Sequence, residues 1–178
     1  GWKYLITFID DFSRYFHVYL LKSKDAAFEK FKIFKSRVEN QLNLKIKRFR
    51  SDRGGEYTMT GFKEFCALEG IILETIAPYS PQSNGVAERK NRTLIEMLNS
   101  MLLIAGMPSS YWGEAVLTAN HILNRLPHSK LSKTPYEIWH KHPCRYDTLK
   151  TWGCVAYVRI QDPKRPKVGP RTTTCVYL

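Results

Sequence analysis

Two carboxylates, Asp52 and Glu88, stand where an acidic side chain could do chemistry. Asp52 follows a segment of alternating charged and apolar residues and precedes Gly54 and Gly55, which places it at the end of a predicted strand. Glu88 lies on the polar face of a predicted long helix. Carboxylate oxygens are the ligands that hard divalent cations prefer. Each residue also has a plainer interpretation, since Asp52 could form a turn and Glu88 could pair with Arg92 on a solvated face.

The elements that must position these carboxylates alternate along the chain. Strands are predicted at residues 4–9, 16–21, 45–50, 71–76 and 154–160. Helices are predicted at 24–42, 61–68 and 109–125, with a long helix ending near 105 and a short helical turn at 136–140. This order predicts an α/β fold in which one carboxylate comes from a strand end and the other from a helix.

The composition predicts a globular protein with a polyanionic partner. Of the 178 residues, 43% are hydrophobic and 25% charged, which excludes collagen-like, disordered and low-complexity chains. The formal net charge is +12, and residues 86–178 hold 14 basic and 6 acidic side chains, so nucleic acid is a candidate partner. No apolar run approaches the ~20 residues that span a bilayer, so neither a transmembrane helix nor a signal peptide is expected.

The cysteines and histidines predict no disulfide framework and no zinc site. The four cysteines form no CxxC pair, which fits a reducing compartment. The five histidines have no metal-binding spacing with any cysteine, so we interpret His140 and His142 as structural or surface residues.

Five segments, in order along the chain, resemble one known family. They are YLITFIDDFSR (4–14), SDRGGEY (51–57), PYSPQSNGVAERKNRT (78–93), YWGEAVLTANHILNRLPHSKLSKTPYEIW (111–139) and TWGCVAYV (151–158). Together they resemble the integrase core of copia-type long-terminal-repeat retrotransposons, which is a fragment of a Pol polyprotein and a member of the retroviral integrase superfamily. The combination of the five segments is specific, although none would suffice alone.

The resemblance implies an α/β, ribonuclease-H-like fold, a mixed sheet flanked by helices, with a C-terminal helical and short-strand extension. It implies an Asp, Asp, Glu triad that holds two Mg²⁺ or Mn²⁺ ions and joins retrotransposon DNA ends to target DNA. Asp52 matches the second carboxylate and Glu88 the third, so both are expected to be catalytic and metal-binding. Two such ions, about 3.5 to 4 Å apart, stabilise the attacking and leaving oxygens of a displacement at phosphorus.

The chain departs from the family pattern at two places. The first catalytic Asp of the family belongs to a motif upstream of Gly1, so we expect the triad to be incomplete here. Asp10 is a possible substitute, but its motif matches a later strand of the family, and a turn role is preferred for it. Arg53 follows Asp52 where the family usually has Asn, and a cation there could crowd the metals or reach DNA.

Basic residues beside Glu88 are expected to contact DNA. Arg89, Lys90 and Arg92 follow it at once, and by resemblance this stretch binds the DNA end that is joined. The alternative is a solvated charged face. The cations of residues 45–50 alternate with apolar residues and are better explained as the outer face of a half-exposed strand.

The predicted organisation is an integrase core at 1–107 without its first strand, a helical extension with a late strand at 108–161, and a basic, Pro-rich linker or arm at 162–178. The expected partners are the element ends and target duplex, with homo-oligomers of the full-length protein and no membrane. Nuclear location with a cytoplasmic particle stage is implied by the resemblance. Two functions stay open, a catalytic core and a non-catalytic DNA-binding or assembly remnant of a decayed integrase.

Overall fold

The computed structural model describes residues 1–51, 60–75, 85–128, 131–147, 149–162, 164–165 and 167–178. It divides into two compact units. Unit 1 comprises Gly1–Phe8 and His17–Arg92, and unit 2 comprises Ile9–Phe16 and Thr93–Leu178. The predicted domain boundaries at 107 and 161 stay predictions. No helix within the described ranges is long and apolar enough to cross a membrane.

The described elements confirm an α/β fold. In chain order they are β1 Tyr4–Ile9, β2 Phe16–Leu21, α1 Ala27–Leu42, β3 Arg48–Ser51, α2 Thr60–Leu68, β4 Ile72–Thr75, α3 Gly85–Ala105, α4 Trp112–Leu123, α5 Pro135–His140, β5 Val155–Arg159 and β6 Thr172–Val176. Two 3₁₀ turns, Lys24–Ala26 and Ser109–Tyr111, precede α1 and α4. α1 and α4 therefore begin three residues later than predicted, whereas α2 and α5 begin one residue earlier.

The strands of unit 1 form two pairs. β1 pairs with β2, and β3 pairs with β4 in parallel, with Arg48 opposite Ile72 and Ser51 opposite Thr75. Between the described residues of the two pairs there is no ladder of hydrogen bonds. Both pairs instead contribute to one aromatic core, because the ring of Phe31 lies 5.9 Å from that of Phe8 and 4.7 Å from that of Phe49.

Helix α1 buries one face against this core. Its buried positions recur at helical spacing and are Ala27, Phe31, Lys35 and Val38. The helix ends at Asn43, whose φ of 52° gives the left-handed conformation that commonly closes a helix. The stripe is therefore apolar except at Lys35.

Buried Lys35 is neutralised by two acids. Its Nζ lies 2.8 Å from a carboxylate oxygen of Glu39 and 2.8 Å from one of Glu69. Glu39 also accepts hydrogen bonds from the backbone N–H of Ile46 at 2.9 Å and from Nζ of Lys45 at 3.1 Å. Burial alone would raise the pKa of Glu39, but these three donors outweigh it and lower that pKa to about 2. The network joins α1 to the segments before β3 and after α2.

In unit 2, two asparagines bind the first residue of β2. Asn120 lies within helix α4, and Asn124 directly follows its last residue. The side-chain carbonyl of Asn124 accepts from the backbone N–H of Phe16 at 3.0 Å, and its amide donates to the Phe16 carbonyl at 2.8 Å. Asn120 donates to the same carbonyl at 3.0 Å. Asn124 and Phe16 are almost completely buried. These bonds therefore satisfy the backbone N–H and the carbonyl of Phe16 without water.

The end of the chain corrects one prediction. Within the segment 162–178, predicted to be a linker or arm, Thr172–Val176 forms β6 and pairs antiparallel with β5, Val155 opposite Val176. The prolines and cations dominated the sequence interpretation, whereas the β-branched run Thr172-Thr-Thr favours a strand once a partner strand lies beside it. Gly153, just before β5, has φ +81° and packs against Ala105, where a side chain would clash.

Candidate metal and nucleic-acid site

Glu88 lies in the first turn of α3 and is exposed. The helix begins at Gly85, and its Leu94 and Leu98 are buried, so the opposite face points to solvent. The predicted polar face is confirmed, since its members are all exposed, namely Glu88, Arg92, Glu96 and Asn99. A carboxylate in the first turn is also favoured by the helix dipole.

The plainer interpretation of Glu88 is not supported by its surroundings. Among the described residues, no ion pair joins Glu88 to Arg92 or to any other cation. Glu88 is exposed, so a divalent cation could reach its carboxylate oxygens. Asp52 and Arg53 lie outside the described residues, directly after the end of β3 at Ser51.

The basic residues after Glu88 differ in their exposure. Arg89 and Arg92 are exposed, whereas Lys90 is half-buried. The guanidinium of Arg89 folds back over Gly85, so that a methyl group at that glycine would come within 3.2 Å of it. The first two turns of α3 thus combine one acid with cations on a surface that solvent reaches.

A contact that the sequence pattern did not reveal holds this part of α3. The hydroxyl of Thr7 in β1 donates to the side-chain carbonyl of Asn91 at 2.8 Å. The two residues are 84 positions apart, and neither has a local signal of a partner. Asn91 lies three residues beyond Glu88, so the bond ties the turn that carries Glu88 to strand β1.

The turn interpretation of Asp10 is confirmed. One oxygen of its carboxylate accepts from the backbone N–H of Ser13 at 2.7 Å and from the Ser13 hydroxyl at 2.6 Å. The turn closes with Arg14 at φ 61°, paired with Asp11 at 2.9 Å. Asp10 thus caps a tight turn, as short acidic side chains often do.

The two arginines of β3 are engaged in ion pairs. Arg48 and Arg50 both contact Glu74 on the neighbouring strand, at 2.9 and 3.0 Å. Hydrogen bonds from Arg50, and then from Arg48, lower the pKa of Glu74. Phe49 between them is half-buried, so the half-exposed strand interpretation is confirmed.

The histidines and cysteines form no metal centre in the part of the chain that the structure describes. No group of three or more His, Cys, Asp or Glu side chains is arranged there to hold an ion. Glu88 therefore belongs to no such group among the described residues, and Asp52 lies outside them.

Comparison with known proteins defines the class as an integrase core with a ribonuclease-H-like fold. The family model described as "Integrase core domain" matches residues 1–81. The HTLV-2 integrase catalytic core domain in complex with magnesium superposes with a TM-score of 0.58 at 26% identity, covering 76% of this chain and 84% of that one. The simian T-cell lymphotropic virus intasome structure matches with a TM-score of 0.64 at 20% identity, over 94% of this chain and 59% of that one.

Sequence relatives identify the particular family. The retrovirus-related Pol polyprotein from transposon TNT 1-94 of Nicotiana tabacum is 44% identical over 100% of this chain, which spans 14% of that polyprotein. The Ty1-DR4 Gag-Pol polyprotein of Saccharomyces cerevisiae is 27% identical over 95% of this chain and 11% of its own length. The chain belongs to the integrase cores of copia-type retrotransposon Pol polyproteins, and it spans about one-seventh or less of the relatives it matches.

Proposed function

We propose that this chain is the core of an integrase that joins retrotransposon DNA ends to target DNA by metal-dependent polynucleotidyl transfer. The observation that carries the proposal is the exposed Glu88 in the first turn of α3, without an ion-pair partner among the described residues. Family membership supports it, because five ordered segments and the integrase core match agree. Action on DNA in the nucleus, after a cytoplasmic particle stage, belongs to the same proposal.

The donor chemistry of Glu88 fits a divalent cation. Mg²⁺ and Mn²⁺ prefer carboxylate oxygens and retain several waters, which an exposed carboxylate allows. Glu88 and Asp52 are proposed to hold the ions, which when bound neutralise charge that develops on the attacking and leaving oxygens. The magnesium complex of the HTLV-2 core supports the choice of cation.

The cations of α3 are proposed to hold the DNA. Arg92 lies one helical turn beyond Glu88 on the same exposed face, and Arg89 is exposed beside it. Guanidinium groups bind phosphate oxygens in a bidentate manner, so a DNA backbone bound here would lie next to Glu88. The contact between Thr7 and Asn91 would keep that helix turn in place as the DNA binds.

A second candidate function is a non-catalytic DNA-binding or assembly remnant. Arg53 favours it, because a cation next to Asp52 repels divalent ions. Assembly is part of both candidates. The HTLV-2 core is described in dimeric and trimeric forms, which supports a homo-oligomer for the full-length protein here.

The experiment compares Glu88→Gln with Glu96→Gln. Glu96 is an equally exposed acid on the same face of α3, two turns further along, and serves as the matched control. Binding of Mn²⁺ is measured by calorimetry, and strand transfer is measured in a version extended upstream to include the first Asp of the family. Glu88→Gln should weaken Mn²⁺ binding and abolish strand transfer with the fold intact, while Glu96→Gln should change neither. Full strand transfer by Glu88→Gln would overturn the assignment.

The same assay separates the two candidate functions. Asp52 and Glu88 alone would neutralise only part of the charge of two divalent ions, so residues 1–178 are expected to bind DNA without joining it. The extended version should be active. Inactivity of both versions would favour the remnant, and activity of the short version that is lost in Asp10→Asn would show that Asp10 supplies the first carboxylate.

A further inference from the structure

Unit 2 carries a cluster of rings around one guanidinium, which we call the Arg125 surface. It consists of Arg125, Tyr136, His140, His142 and Tyr146; Arg125 and Tyr136 are half-buried and the other members are exposed. The guanidinium carbon of Arg125 lies 4.2 Å from the centroid of the Tyr136 ring, a close cation–π contact. Both histidines are exposed, and Tyr146 has 51% of its surface accessible.

The rings of this surface are held by one another and by the backbone. The Tyr136 ring lies 4.4 Å from that of His140 and 5.2 Å from that of His142, and the two imidazoles are 5.6 Å apart. The Tyr136 hydroxyl is 3.4 Å from Nε2 of His142. The Tyr146 hydroxyl donates to the backbone carbonyl of Arg125 at 3.1 Å, which ties Tyr146 to the residue that carries the guanidinium.

The acids near these rings are occupied by their own contacts. Glu137 caps α5, accepting from the backbone N–H and hydroxyl of Thr134 at 2.9 and 3.0 Å, and from the backbone N–H of Cys144 at 3.3 Å. Asp147 pairs with Arg145 at 2.9 Å. Glu137 is held by neutral donors and keeps its negative charge. The surface therefore gains net positive charge when the imidazoles gain protons.

The surroundings of the two imidazoles are aromatic or cationic. His140 faces the edge of Tyr15 from the turn before β2, Tyr136 from its own helix, His142, and Arg125 from the end of α4. Burial, then His142 and Arg125, lower the pKa of His140 below its ordinary 6.5. The second imidazole, His142, is close to the carbonyl of Pro143 at 3.2 Å. An anion placed between Arg125 and these rings would raise the pKa of His140 and favour its protonated form.

We propose that the Arg125 surface binds a single-stranded segment of nucleic acid, with a phosphate at Arg125 and the imidazoles and a base against the exposed rings. Cations interleaved with exposed aromatic rings are the arrangement that holds unpaired nucleotides, because every base has a face that stacks. Protein partners of acidic character would use the cations but not the rings. This site goes beyond the proposed integrase chemistry, since its residues belong to unit 2 and it needs neither Asp52 nor Glu88.

The proposal requires that binding strengthen as the imidazoles become protonated. A phosphate that raises the pKa of one imidazole by one unit changes affinity by about tenfold across its titration. The chain of residues 1–178 should therefore bind a fluorescein-labelled oligothymidylate about tenfold more tightly at about pH 5.5 than at about pH 8. Fluorescence anisotropy measures this ratio directly, with a duplex of the same length as comparison.

The decisive variant is the pair His140→Gln and His142→Gln. It should reduce the pH effect on oligothymidylate binding to less than about twofold, because Gln does not titrate. The matched control is Lys47→Gln with Lys63→Gln, which removes two exposed cations of unit 1 and should leave the pH effect intact. Thermal melting verifies folding, and if the double variant melts early, His140→Gln alone should still reduce the pH effect.

Two results would overturn the proposal. One is a pH effect of the same size in the double His variant as in the parent chain. The other is a His-dependent pH effect on duplex binding that equals or exceeds the effect on oligothymidylate, which would make the surface a duplex site. Neither result bears on Glu88, whose test is metal binding and strand transfer, so failure of this site and failure of the integrase function are distinguishable.

Discussion

Replacing Glu39 by Gln tests the buried network of unit 1. Gln keeps the shape and can still accept from the backbone N–H of Ile46, but it removes the negative charge that faces Lys35. The pKa of Glu39 falls from 4.5 to about 2 on folding, which corresponds to a ceiling of about 3.4 kcal/mol at neutral pH. Lys45, one of the three donors, is 77% exposed and screened by water. We therefore expect Glu39→Gln to lower the free energy of unfolding by about 2 kcal/mol.

The loss of stability in Glu39→Gln should become smaller as pH falls. Because the folded-state pKa is lowered, the stabilisation is present above the unfolded pKa of 4.5 and disappears as pH falls towards 2. The difference in free energy of unfolding between the parent and Glu39→Gln should be smaller than at neutral pH by about a quarter at pH 4 and by more than half at pH 3. At neutral pH the melting temperature should drop by about 4 to 8 °C.

Urea unfolding at several pH values measures both quantities. The control is Glu29→Gln, which removes the acid of the exposed pair with Lys32 and should cost less than about 0.5 kcal/mol. Equal stability of Glu39→Gln and the parent at neutral pH would refute the reasoning. A loss that stays constant from pH 7 to pH 3 would show that packing, not charge, is responsible.

Three further outcomes are expected. Asn124→Leu should lower the free energy of unfolding by about 1 to 3 kcal/mol, because the buried N–H of Phe16 loses its side-chain acceptor while the Phe16 carbonyl keeps Asn120. Asn99→Leu on the exposed face of α3 should be nearly neutral in the same urea titration. Thr134→Ala should cost about 1 kcal/mol by removing the capping box of α5, and Thr134→Ser should restore it, as thermal melting will show. For duplex DNA binding, a plot of log affinity against log salt concentration should be less steep by about one unit in Arg92→Gln, because one phosphate contact is lost. An unchanged slope would favour the solvated-face interpretation.

Helices and turns could be predicted from the sequence wherever the pattern that determines them lies within one segment. Helix α1, the polar face of α3 around Glu88 and the turn at Asp10 were all predicted from spacing and turn chemistry, because helices and tight turns depend on near neighbours in sequence. Their ends were less predictable, since a 3₁₀ turn such as Lys24–Ala26 has nearly the same apolar spacing as the helix that follows it. The family was also recognisable, because the order of five segments is itself a property of the sequence.

Long-range pairing was decided only by the folded chain. Nothing local to Lys35 shows that Glu69 will reach it. Nothing near Phe16 shows that Asn124, 108 residues away, will bind its backbone N–H and carbonyl. Strand β6 was missed for the same reason, since a short β-branched run becomes a strand only when another strand satisfies its backbone. The contact of Arg125 with Tyr136 likewise needs the end of α4 and the start of α5 to meet. Such contacts join residues that sequence spacing separates, so only the packing of helices and strands brings their atoms within bonding distance.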